Sequence, residues 1–406
     1  VTESGVVDSG VPEAIPSAEP TATHSRSAAH PTVPAALSTG FAVDESLLEV
    51  PLYGLPQAEK ERRLAAALAA LTAHHRQACP AYRRLTDVLH PHLAARLTDI
   101  PYLPVGLFKS HRLISVPHAE ISTTLTSSGT TGQQPSQIFL DKATAHRQSR
   151  ALAAIMSHIL GPRRLPMLII DTSDLLKNRV AFSARGAGVL GMMTFGAQPR
   201  FALDPDMRLD RVAIEEFLLK HGGQPFLIFG FTFMVWAHFF EQIAGLGLDL
   251  SNGILVHSGG WKKLVDRAVD NPTFKAELRR ATGLRRVYNF YGMVEQVGSV
   301  FLEGEDGLLY PPAFADVIVR DPDTMEEAPP GQVGVIQTVS MLPTSYPGHS
   351  LLTEDLGVIE RIDQQDLPGC GRLGKAFRVI GRVPRAELRG CSDTHAEELS
   401  AKGSLP

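Results

Sequence analysis

Cysteine is scarce: the 406 residues hold three, Cys79, Cys370 and Cys391. They are too few and too scattered for a disulfide framework or a zinc site, and they suit a reducing compartment. No apolar run approaches the ~20 residues of a membrane span. The N-terminus shows no basic stretch followed by an apolar one, so no secretory leader and no membrane partner are expected, and the expected location is cytoplasmic. Charge of one sign is lacking as well. The net charge of −4 gives no support to nucleic acid as a partner. No internal repeat is visible, and the GxxxxGK[ST] of a Walker loop is missing, which disfavours the usual kinase or ATPase site. What is present is 44% hydrophobic and 20% charged, the mix of a globular protein with a full core.

Residues 1–40 are rich in Ala, Pro, Ser, Thr and Val without periodicity, a composition expected to be disordered. Leu64, Leu68 and Leu71 predict a helix from about Gln57 to His75, and a second is expected from Tyr82 to Arg96. A strand is expected over Gln137–Leu140 and a helix over Lys142–Leu160. The runs Met167–Ile170, Phe226–Phe229 and Gly253–Val256 read as buried strands. Short apolar strands alternating with helices imply an α/β fold with a parallel sheet covered on both faces, its active-site loops at the carboxyl ends of the strands. From residue 313 the texture changes. Ala315–Val319, Val333–Val339 and Gly357–Ile362 alternate between Pro/Gly turns and predict a smaller antiparallel β-rich unit.

Four segments carry chemistry. Ser127-Ser128-Gly129-Thr130-Thr131-Gly132 follows a β-type run. Glycines permit close backbone approach, successive N–H groups form an anion nest, and the hydroxyls add donors, so the loop suits nucleotide phosphates. His257-Ser258-Gly259-Gly260-Trp261-Lys262 ends a buried strand in a glycine pair against which a flat ring can lie, with Trp261 placed to cover it. Tyr291-Gly292-Met293-Val294-Glu295-Gln296 offers an aromatic ring for a purine and a carboxylate for Mg²⁺ near its phosphates. Asp355, in Thr353-Glu354-Asp355, and the later Gly381-Arg382 suit ribose hydroxyls and the phosphate side of a nucleotide. Each segment alone also suits an ordinary turn or strand end.

Together and in this order they resemble the adenylate-forming superfamily: its TSGTTG phosphate loop, its YGxTE motif, its TGD and its later GR. The finer resemblance is to the LuxE family of acyl-protein synthetases. It is carried by SSGTTG, by IFGFTF (Ile228 to Phe233), by HSGGWK and YGMVEQ, and by the terminal GRVPRAELRGCSD, over roughly residues 45–395. The chain departs from the broad superfamily at Val294, where Thr is usual, and at Glu354, where Gly is usual. Only a short tail follows Arg382, so the resemblance implies that the usual C-terminal domain, with its lysine, is truncated. Lys402 lies in no matching motif; Lys262, Lys263 and Lys142 are candidate cations by chemistry only.

The resemblance implies an adenylation core over 41–312, a β-rich subdomain over 313–382 and a mobile tail over 383–406. It implies ATP-dependent activation of a carboxylic acid, a fatty acid by family, to an acyl adenylate, with ATP and Mg²⁺ required. In that scheme Ser128, Thr130 and Thr131 hold phosphates, with Thr130 catalytic; Glu295 holds Mg²⁺; Tyr291 packs on adenine above Gly259 and Gly260; and Asp355 and Arg382 fix ribose. Phe229, Gly230, Phe231, Gly188 and Trp261 are the candidate acid pocket. Cys391 lies beside Arg385, Arg389 and His395, and nearby cations lower a thiol's pKa. By resemblance it accepts the acyl group for hand-off to a protein partner, an acyl reductase or a carrier protein. Cys79 and Cys370 read as structural. Two other readings are release to coenzyme A or a carrier protein, as in the related phenylacetate-CoA ligases, and a non-catalytic acyl-adenylate binder.

Overall fold

The structure, a computed structural model, describes residues 41, 43–90, 96–127, 135–176, 184–261, 267–364 and 371–383. Residues 1–40, Ser128, Gly129, Thr130, Thr131, Gly132, Lys262, Lys263, Cys370 and Cys391 lie outside them.

The amino-terminal helices form as their spacing predicts. In α1 (Gln57–Ala78), Leu64, Leu68 and Leu71 are fully buried. The next helix, α2 (Pro80–Leu89), stops well short of Arg96. Pro91 follows His90, and a residue before proline is steered out of the α region; His90 sits at φ −140°, ψ 73°. Strand β1 (Leu103–Pro104) and the single turn α3 (Leu107–Ser110) come next. A two-stranded antiparallel hairpin follows, β2 (Ile121–Thr126) with β3 (Gln137–Asp141). Asp141 then caps α4 (Lys142–Leu160), accepting a hydrogen bond from the Thr144 N–H at 2.8 Å.

The rest is one twelve-stranded sheet. Its parallel half contains β4 (Leu165–Thr172), β5 (Gly196–Leu203), β6 (Phe226–Phe231), β7 (Gly253–Ser258) and β8 (Arg286–Tyr291), in the order β5-β4-β6-β7-β8. All six residues of β6 are buried. The continuous apolar runs of β4, β6 and β7 are what a sheet covered on both faces requires. The connecting helices are α5 (Ala184–Met193), α6 (Arg211–His221), α7 (Thr232–Met234), α8 (Glu241–Ile243) and α9 (Asn271–Thr282). Between α7 and α8, Val235–Phe240 is π-helical, an uncommon turn found most often near functional sites.

The antiparallel half contains β9 (Phe301–Glu303), β10 (Leu309–Tyr310), β11 (Ala315–Arg320), β12 (Gly334–Ser340), β13 (Ser350–Ile362) and β14 (Lys375–Arg382). It joins β8 through β9 and β10, so parallel and antiparallel strands share one sheet, with β1 on β13. The mixed α/β class expected from the sequence is the one observed. Thr353-Glu354-Asp355 lies inside the thirteen-residue β13, and Arg382, at the end of β14, is in register with Asp355. Buried Lys60 of α1 meets Asp316 of β11 at 3.4 Å, and Lys375 of β14 meets Glu61 of α1 at 3.5 Å, tying these strands to α1.

A sealed histidine pair lies beneath β13. His75 stacks on His349 with ring centroids 4.9 Å apart. Thr72 Oγ1 is 2.9 Å from His349 Nε2, and Ser115 Oγ is 2.8 Å from His75 Nδ1. Burial holds His349, and His257 of β7, down at about 3 against an ordinary 6.5. Both are therefore neutral in the folded protein while the unfolded chain takes up protons below about pH 6.5. Stability should fall as pH drops from about 6.5 towards 3. Urea denaturation across this range should give a slope that becomes shallower in His349→Gln; an unchanged slope would contradict the assignment.

Candidate active site

Parallel alignment brings the carboxyl ends of β6, β7 and β8 to one edge, with Phe231 opposite Ser258 and Ser258 opposite Phe290. The candidate glycines Gly259 and Gly260 follow β7 there, and Tyr291-Gly292 ends β8. Gly259 has φ +83°, a conformation that favours glycine. Around Gly260 no described atom lies within 4 Å of where a Cβ would sit, and at Gly292 the nearest is Val300 Cγ2 at 3.6 Å. The edge can thus accept a flat ring against backbone.

Tyr291 fixes the other side. Its ring stacks on Phe301 and meets Phe377 edge-on. Its hydroxyl donates to Asp355 Oδ2 at 2.7 Å, and Arg382 Nε donates to Asp355 Oδ1 at 3.3 Å. Burial, then the Asp355 charge, pushes the Tyr291 phenol well above its ordinary value, so it remains a donor. Asp355 is oriented by two donors yet keeps lone pairs for further ones.

The candidate phosphate loop starts at Ser127, after β2, and its residues 128–132 lie outside the described ones. At its foot the Ser127 N–H donates to Ser136 O at 3.1 Å, and the Ser136 N–H donates to Ser127 Oγ at 2.8 Å. Ser136 is buried, and its hydroxyl stands near enough to the Glu295 carboxylate to favour the ionised form. Burial raises the Glu295 carboxyl; the Ser136 hydroxyl, its own backbone N–H and the field of Lys109 on α3 oppose this, while Glu354 adds to it. Tyr346 Oη donates to the Glu295 carbonyl at 2.9 Å. That carbonyl also lies 2.8 Å from the Cβ position of Gly348, leaving no room for a side chain there. No cluster of three or more metal-ligating side chains occurs among the described residues. One buried carboxylate near Ser136 fits Mg²⁺, which is commonly held by one or two carboxylates, phosphates and water.

Sequence reasoning missed Ser136, Lys109 and Tyr346, whose roles come from tertiary neighbours. Lys142, at the start of α4, is exposed. In the candidate acid pocket, Gly188 of α5 abuts Phe231: its Cβ position is 3.1 Å from Phe231 Cζ. Phe229 is enclosed in the core. Trp261 packs edge-on to Trp236, ring centroids 5.7 Å apart. Gly230 is a close-packing position: a Cβ there would stand 2.9 Å from Ile170 Cβ and 3.0 Å from Val235 Cγ2. Gly230→Ala should therefore lower stability by roughly 1–3 kcal/mol. Chemical denaturation checks this, and an unaltered midpoint would show that the strands can separate at no cost.

The family model "Acyl-protein synthetase, LuxE" matches residues 35–400. A long-chain-fatty-acid–luciferin-component ligase of Vibrio harveyi is 22% identical over 75% of this chain and 80% of its own length. The Aliivibrio fischeri protein of the same name is 21% identical over 76% and 80%. Among solved structures, an open conformation of 2-hydroxyisobutyryl-CoA ligase, in complex with 2-HIB-AMP and CoA, is similar with a TM-score of 0.60 and 20% identity over 81% of this chain and 76% of that one, a likeness of fold. With the family model spanning most of its length, the chain belongs to the LuxE family of acyl-protein synthetases, AMP-forming acid ligases.

Proposed function

We propose that the protein activates a carboxylic acid, of the fatty-acid class, with ATP and passes the acyl group to the thiol of Cys391. The observation that carries the first half is the buried Glu295 carboxylate near Ser136 at the foot of the Ser/Gly loop, four residues after Tyr291, which ends β8 and donates to Asp355. A buried carboxylate raised by desolvation is stabilised by a cation, and a triphosphate in the adjoining loop would bring one.

In this reading Ser127, Ser128, Gly129, Thr130, Thr131 and Gly132 wrap the phosphates, with Thr130 nearest the reacting phosphorus. Adenine lies between Tyr291-Gly292 and Gly259-Gly260, and Asp355 with Arg382 receives the ribose hydroxyls. Mg²⁺ on Glu295 would neutralise phosphate charge. A carboxylate oxygen of the acid attacks the α-phosphorus; the bond to the β-phosphate oxygen breaks and pyrophosphate leaves. The protein's work in this step is alignment and charge stabilisation. The Cys391 thiolate then attacks the acyl carbonyl, the bond to the AMP oxygen breaks, and a thioester remains on the protein. Such a thioester suits hand-off to a protein that reduces or carries acyl groups, in the cytoplasm.

ATP–pyrophosphate exchange with a panel of fatty acids tests the activation half. Exchange should be seen with at least one acid. It should fall by roughly 10²-fold in Glu295→Gln, which keeps the size but removes the charge for Mg²⁺. Asp355→Ala should raise the KM for ATP more than it lowers kcat. Exchange that is indifferent to Glu295→Gln would remove that residue from the reaction.

A further inference from the structure

The inner face of α5 is apolar at Val189 and Met192, yet it also carries Arg185, only 8% exposed. Arg185 Nε lies 3.3 Å from Oδ2 of Asp171, at the carboxyl end of β4 and 1% exposed. This is an ion pair without a completed hydrogen bond. Among the described residues, Arg185 Nε and Nη1 and Asp171 Oδ2 have no hydrogen-bond partner. Asp171 Oδ1 is occupied, accepting from the Thr172 N–H at 2.7 Å. Burying two opposite charges is costly unless their remaining donors and acceptors are met. A buried cation kept for structure alone meets them, as Lys375 does with the Val317 carbonyl and Glu327.

A second observation points at the same place. Arg185, Gly188 and Gly191 stand at i, i+3 and i+6 on α5, successive neighbours along the helix surface. Around Gly191 no described atom lies within 4 Å of the Cβ position. Gly188 leaves its position to the Phe231 ring, and that same ring lies 3.7 Å from the Cβ position of Gly259. Phe231 thus stands between the proposed adenylate edge and α5. A chain that starts at Gly259 and passes Phe231 reaches Arg185 one helical turn beyond Gly188. Strand order agrees: β4 and β7 flank β6, so Asp171 is two strand spacings, about 10 Å, from the Gly259 edge.

We propose that Arg185 and Asp171 form a polar subsite for the distal part of the acid, and that the substrate carries there a neutral group able to donate and accept, a hydroxyl or a primary amide. The guanidinium supplies donors and Asp171 an acceptor, and the pair is neutral in sum. A second carboxylate would face Asp171. A bare alkyl chain would leave the three orphaned atoms buried without partners. The inference rests on the activation reading above and sharpens its substrate class.

The test is ATP–pyrophosphate exchange with matched eight-carbon acids: octanoate, its chain-hydroxylated forms, the monoamide of the corresponding diacid, and the diacid. At least one hydroxy or amide acid should exceed octanoate and the diacid by ~10-fold or more in kcat/KM, because a site built to hydrogen-bond a substrate group rejects analogues that lack it. In the double variant Asp171→Asn with Arg185→Met, which leaves no lone buried charge, that ratio should fall to within roughly 2-fold of unity, mainly through KM. A wild-type preference for octanoate over every substituted acid, or a preference unchanged in the double variant, would overturn the subsite. Exchange with no acid at all would overturn the activation reading, and the subsite with it.

Discussion

The hydrogen bond from the Tyr291 hydroxyl to Asp355 is the contact on which the site depends. It spans 64 positions of sequence and links the end of the parallel half of the sheet to the middle of the antiparallel half. Four strands carry it. Tyr291 ends β8, Phe301 of β9 and Phe377 of β14 pack against its ring, and Asp355 on β13 accepts its hydrogen bond. Without this link the glycine edge after β7 and the Asp355–Arg382 pair would belong to two independent surfaces. With it the end of β8 is fastened to Asp355, and burial of the phenol keeps the donor protonated at every physiological pH.

Glu295 shows how such a site acquires chemistry. A carboxylate placed in the core would ordinarily give up its charge, and burial pushes this one in that direction. Ser136, the residue's own backbone N–H and the field of Lys109 partly offset the penalty. The balance leaves a carboxyl group whose ionised form gains from any cation that arrives with a ligand. On the proposed reading the Ser/Gly loop and Glu295 act as one unit, joined by the Ser127–Ser136 pairing at the loop's foot.

Much of this was legible in the sequence. Met167–Ile170, Phe226–Phe229 and Gly253–Val256 are apolar on both faces, and only the interior of a covered parallel sheet accommodates that pattern. Position at strand ends then brought Gly259, Gly260, Tyr291 and Gly292 together. Asp355 was harder to place. Its short motif reads equally as a turn, and only pairing with β14 shows that it belongs to a long strand. The second helix, expected to reach Arg96, ends at Leu89 because Pro91 governs the backbone before it. Ser136, Lys109 and Arg185 carry no local signature. Their meaning comes from neighbours remote in sequence, although a lone Arg on an otherwise apolar helical face, and an Asp ending an apolar strand, were signals open to notice.

In the proposed function the sheet edge activates the acid and Cys391 accepts the acyl group. Intact-protein mass after incubation with MgATP and a panel of fatty and substituted acids, wild type beside Cys391→Ser, tests that claim most directly. The account predicts an acyl-sized gain in wild type, removed by hydroxylamine and missing in the variant. An equal gain in Cys391→Ser, or no gain in wild type while pyrophosphate is released, would contradict it and move the acceptor to another thiol.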